Sequence, residues 1–82
     1  MYPQSDAARC EALFASDLQA SQHPDHGAVR TAIEASFDTL GAQGCAARVA
    51  QEFGDHPETA LTRMRWARHE CESLTGPNLT AA

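Results

Sequence analysis

Apolar side chains recur at helical spacing along most of the chain. Cys10, Leu13, Phe14 and Leu18 make one stripe and predict a first helix over about residues 6–20, with Ser5 as its N-cap. Ser21-Gln22-His23-Pro24 breaks that pattern. Val29, Ile33, Phe37 and Leu40 then follow at i, i+4, i+8 and i+11, which predicts a second helix over about 25–40 facing a core. Gly41 suits the left-handed residue just past a helix end, and Ala42-Gln43-Gly44 reads as a short connector. Ala46, Val49, Ala50 and Phe53 predict the inner face of a third helix over about 45–53, closed by Gly54. A fourth helix is predicted over about 57–74. Asp55 and Glu58 have the spacing of a capping box, and Pro57 falls in the first turn, where a missing N–H costs nothing. At 3.6 residues per turn, Ala60, Met64, Ala67, Cys71 and Leu74 share one face, while Thr62, Trp66, His69 and Ser73 lie opposite. Gly76-Pro77 predicts the helix end, with a frayed tail over 76–82. No strand-like alternation or internal repeat is visible. The fold class expected is all-α: one small four-helix domain over residues 1–82, with helices three and four crossing steeply.

Composition narrows the function classes. An 82-residue chain supports one domain. Aromatics are only 6 %, so the core must come mainly from Leu, Val, Ile, Met and Ala. No uncharged apolar run approaches the roughly 18 residues of a membrane span. Met1-Tyr2-Pro3-Gln4-Ser5-Asp6 offers neither the basic nor the apolar stretch of a secretory signal. Three cysteines, Cys10, Cys45 and Cys71, lie far apart without CxxC spacing. An odd count with no export signal predicts reduced thiols in a cytoplasmic protein. The same lack of paired ligands predicts no zinc site.

Charge is uneven. The formal charge is −5, from six Arg, no Lys and eleven acids, a Lys-free and Ala-rich usage that resembles products of high-GC genomes. Residues 1–44 hold two Arg against six acids, whereas residues 45–71 balance four against four. Residues 59–69 contain no acid and carry Arg63, Arg65, Arg68 and His69. A local cationic stripe therefore sits on an acidic body. His23, His26 and His56 fall at turns and helix starts, where capping or exposure is the ordinary role. His69 and Cys71 are two apart on a helix and diverge by about 200°, which disfavours a catalytic pair. With no phosphate-binding Gly loop and no Ser-His-Asp or paired-carboxylate spacing, the chain reads as non-enzymatic, without cofactor, metal or small-molecule substrate.

One segment carries a functional pattern. Ala50, three residues, then Gly54 is a helix-turn-helix spacing: a small residue permits close helix crossing, and glycine permits a turn with positive φ. The stretch Val49-Ala50-Gln51-Glu52-Phe53-Gly54, followed by Thr59-Ala60-Leu61-Thr62-Arg63-Met64-Arg65-Trp66-Ala67-Arg68, resembles the C-terminal DNA-binding helix-turn-helix of bacterial sigma factors and related response-regulator output domains. The register holds without gaps over residues 49–68, about a quarter of the chain. The resemblance implies that Thr59 touches phosphate at the start of a recognition helix. Leu61, Thr62 and Arg65 would face the groove, and Arg63 and Arg68 would contact the DNA backbone or brace the domain. Asp55 stands where that family has an apolar residue, Leu61 where it has a polar groove reader, and Trp66 where a basic residue is common.

Two functions follow. One is a small transcription regulator that places helices three and four on DNA. The other is a helical protein-interaction module or homodimer in which Arg63, Arg65 and Trp66 meet an acidic partner. Acids around Arg63, Arg65 and Arg68 favour the second, and a clean positive face favours the first. Trp66 lies away from the predicted core face, so it is either a partner anchor or is covered by the chain's own residues, Tyr2 and Pro3 being candidates.

Overall fold

The computed structural model describes residues 6–81, with side chains over 6–74. Ser5, Tyr2 and Pro3 lie outside the described residues. Three α-helices are present: α1 (Asp6–Ala15), α2 (His26–Asp55) and α3 (Pro57–Ala81), with a short 3₁₀ turn at Ala20–Gln22. No strand occurs among the described residues, so the all-α class holds. The number of helices differs from the four expected, because the second and third form one element.

The first helix ends at Ala15 rather than near residue 20. The Ser16 hydroxyl donates to the Leu13 carbonyl at 2.6 Å and accepts from the Leu18 N–H at 3.3 Å. A serine side chain thus offers the backbone an alternative to the next helical turn. The chain re-forms as the 3₁₀ turn, where the Gln19 N–H donates to Gln22 Oε1 at 2.7 Å, and leaves through His23 at φ 50°. Asp25 then caps α2, its Oδ1 accepting from the Ala28 N–H at 2.8 Å.

The break expected at Gly41 is real but only one residue long. Gly41 has φ 73° and ψ 167°, and helical backbone resumes at once through the predicted connector 42–44. The bend is tight: a Cβ on Gly44 would stand 3.0 Å from Leu40 Cβ. Across it the Cys45 thiol donates to the Ser36 carbonyl at 3.8 Å. The bend also swings Leu40 off the core, leaving it 37 % exposed, while Val29, Ile33 and Phe37 stay buried as predicted.

Gly54 does not make a turn. It lies inside α2 without a positive φ, and a Cβ there would meet nothing within 4 Å. Asp55 is the last helical residue rather than a cap. His56 alone, at φ −141° and ψ 69°, separates α2 from α3. Ala50, expected at a close helix crossing, is exposed. The bonds that cap a helix end run straight through this junction, with His56 N–H to Glu52 carbonyl at 2.7 Å and Ala60 N–H to His56 carbonyl at 2.8 Å. The backbone therefore lacks the glycine-dependent turn and small-residue contact read from residues 50–54.

α3 buries the predicted face: Ala60, Ala67 and Cys71 are core, with Met64 and Leu74 packed against it. It passes through Gly76-Pro77 to Ala81 instead of ending there. α1 packs against both longer helices. Its Cys10, Ala12, Leu13 and Phe14 meet Val29, Ile33, Phe37 and Cys45 of α2 in one cluster. Phe14 stacks on Phe53, ring centroids 6.2 Å apart.

Candidate functional site

The cationic stripe predicted on the last helix divides once the chain is folded. Arg63 turns inward. Its Nε donates to the Phe14 carbonyl at 2.8 Å, and its Nη2 donates to the Ser16 carbonyl at 2.9 Å and the Leu13 carbonyl at 3.4 Å. These are carbonyls of the α1 C-terminus, which have no partner within their own helix. A guanidinium supplies several donors in a fixed fork and places positive charge at the negative end of the helix dipole. Its carbon also lies 5.7 Å from the Phe14 ring centroid and 5.1 Å from that of Trp66. Burial lowers the Arg63 pKa from its ordinary value, opposed by the nearby carboxylates Asp17 and Glu52. Arg63 is thus the C-terminal cap of α1, not a free groove or partner contact.

Trp66 takes part in the same packing. It is half-buried against the core, with the Arg63 guanidinium over its ring, so the placement on the outer face is corrected. The cover comes from a residue three positions away on the same helix.

Four predicted contact residues remain outside. Thr59, Thr62, Arg65 and Arg68 are exposed. Thr62 is engaged locally, its hydroxyl donating to the Glu58 carbonyl at 3.2 Å. Leu61 is 44 % exposed, the larger value of the two big apolar side chains that face solvent among the described residues. Leu61, Arg65 and His69 follow at i, i+4 and i+8, so α3 presents an apolar group and two basic groups along one line, with Thr62 beside them. Arg68 faces another way. It shares a cavity with Asp6 and Glu11 of α1 and with Glu72 one turn on.

That cavity holds the feature the sequence reading missed. Its volume is about 370 Å³, and Cys10, Cys71 and Met64 line it together. The Cys10 and Cys71 side chains approach each other across the α1–α3 interface, close enough for each to act on the other's ionisation. Burial pushes both thiols up from 9.0, Cys71 to about 12. Met64 and Cys71, seven apart, were legible as one face of a helix. Their meeting with Cys10 is a tertiary contact that no spacing announces. Cys45 is also a buried free thiol, raised chiefly by burial, but it lies at the α2 bend.

The structure therefore brings Arg63 and Trp66 together on α1, leaves Leu61, Thr62, Arg65 and His69 on an open helix face, and sets Arg68 among acids. No helix among the described residues is long and apolar enough to cross a membrane. The chain matches no known family model, no curated protein and no solved structure.

Proposed function

We propose that this chain is a non-enzymatic helical interaction module that docks an acidic, partly apolar protein segment on the outer face of α3. The observation that carries this reading is Leu61, 44 % exposed and aligned with Arg65 and His69 in a stretch, residues 59–69, that contains no acid. An apolar side chain with Arg65 one turn on suits a partner that offers a hydrophobic contact beside an acidic group. The chain as a whole carries net −5, so such a partner is repelled elsewhere and steered to this face.

The surroundings of the arginines favour a protein partner over DNA. Binding to a duplex depends chiefly on neutralised phosphates. Arg63 is held by three α1 carbonyls, and Arg68 stands beside Asp6, Glu11 and Glu72. Arg65 is then the main exposed cation of the face, too little for an acidic chain to hold a duplex.

Trp66 is the sole tryptophan and reports on this helix by fluorescence. Titration with a synthetic helical peptide carrying Leu and Glu along one face should shift its emission, with affinity falling as salt rises. Leu61→Ser should abolish the shift without altering the fold. Mixed-sequence duplex DNA at low salt should give none. Duplex binding that depends on Arg65 and Arg68, or peptide binding that survives Leu61→Ser, overturns the reading.

A further inference from the structure

Cys10 and Cys71 come from opposite ends of the chain, yet both line one cavity of about 370 Å³ together with Met64. We propose that Cys10, Cys71 and Met64 form a binding site for one soft monovalent metal ion of the copper(I) class. Thiolate and thioether sulfur are the ligands that select such ions. Three sulfurs around one opening make a low-coordinate set. A harder ion such as zinc takes four ligands, commonly nitrogen, oxygen and thiolate. Among the described residues no group of three or more His, Cys, Asp or Glu side chains is placed to hold a metal.

The site is built in two further respects. Cys10 and Cys71 are only 9 % and 3 % exposed, so water competes little for the ion, while the cavity supplies a path in. Charged groups from both contributing helices face it: Asp6, Arg9 and Glu11 from α1, and Arg68 and Glu72 from α3, with none from α2. The carboxylates draw a cation to the mouth. Arg68 acts on Cys10 and Arg9 on Cys71 to favour the thiolates.

The step is an exchange without redox. One ion binds two thiol sulfurs, both S–H protons leave to solvent, and the complex carries one negative charge. Thiols are ordinarily protonated at neutral pH, so binding releases two protons. Apparent affinity then rises about a hundredfold per pH unit.

The test uses the full chain, reduced and held without oxygen, with copper(I) delivered as its acetonitrile complex against the chelator bathocuproine disulfonate. The chain should retain one ion, release two protons, and gain a thiolate-to-copper absorption in the near ultraviolet. Cys10→Ala and Cys71→Ala should each abolish retention, and Cys45→Ala should keep it. Met64→Leu, which conserves volume and so keeps the fold, should weaken retention by about tenfold. Circular dichroism of each variant separates loss of the site from loss of the fold. Retention by Cys10→Ala or Cys71→Ala, failure of the folded Cys45→Ala chain to hold an ion, or half an ion per chain overturns the proposal.

Discussion

A single guanidinium decides how the N-terminal part of this chain is held. α1 has only ten residues, too few to persist alone, and Arg63 supplies its last carbonyls with donors from another helix. The three Arg63 bonds reach across about fifty residues of sequence, to Leu13, Phe14 and Ser16. Arg63→Ala should lower unfolding free energy by about 2 kcal/mol, the scale of hydrogen bonds to a charged group. Arg63→Lys should restore less than half, since an ammonium keeps the charge but not the fork. Arg65→Ala, on the exposed face, should stay within about 0.5 kcal/mol. Urea unfolding of the three variants checks the ranking, and equal losses at 63 and 65 would contradict it. A second expectation concerns Cys71, whose pKa burial raises from 9.0 to about 12. A thiol raised on folding contributes stability that is fully present below the unfolded value and lost as pH climbs to the folded one. Stability should therefore fall between pH 9 and about 12, by an amount on the order of 4 kcal/mol, with Cys10 adding in the same direction. Cys71→Ala should start lower at neutral pH and fall less steeply. Parallel profiles for the two proteins would rule this out.

At the scale of elements, the glycines separate what the sequence made legible from what it did not. Gly41 sits at φ 73°, where a side chain is strained, whereas Gly54 is helical with open space around its Cβ position. Gly41→Ala should destabilise by about 1 kcal/mol or more, and Gly54→Ala should stabilise by about 0.5–1 kcal/mol. Thermal melts of the pair test the α2–α3 junction: a destabilising Gly54→Ala would mean that residue 54 needs its conformational freedom after all. The apolar stripes Val29-Ile33-Phe37 and Ala60-Met64-Ala67-Cys71 were readable because helical periodicity is a local property of the chain. The stop at Ala15 depends on which bond the Ser16 hydroxyl makes, and the continuation past Gly41 on a bend one residue wide. Both are choices that composition leaves open. The candidate site was legible in its residue types and not in its directions. Arg63, Arg65 and Arg68 read as one stripe, yet only contact with α1 shows Arg63 turned inward and Trp66 beneath it.

For the molecule as a whole, α1 is the wedge that makes two long helices into one core. α2 and α3 are joined through the single residue His56 and also pack on each other, and the buried side chains of α1 close the cluster against both. Leu13 is completely buried, and its carbonyl also receives Arg63 and Ser16. Leu13→Ala removes that packing where surrounding helices are poorly able to collapse, at a cost of about 3–5 kcal/mol. That is a large share of the stability available to a chain of this size. If one core serves all three helices, the loss should lower a single cooperative transition that near-ultraviolet and far-ultraviolet circular dichroism report together. It should also weaken peptide docking on α3 although Leu61 is untouched, because the docking face is ordered only while α3 is packed on α1. A variant in which α2 and α3 stay helical and hold the peptide after α1 has melted would show the long helices to be a unit by themselves. The interaction face would then belong to that hairpin and not to the three-helix core.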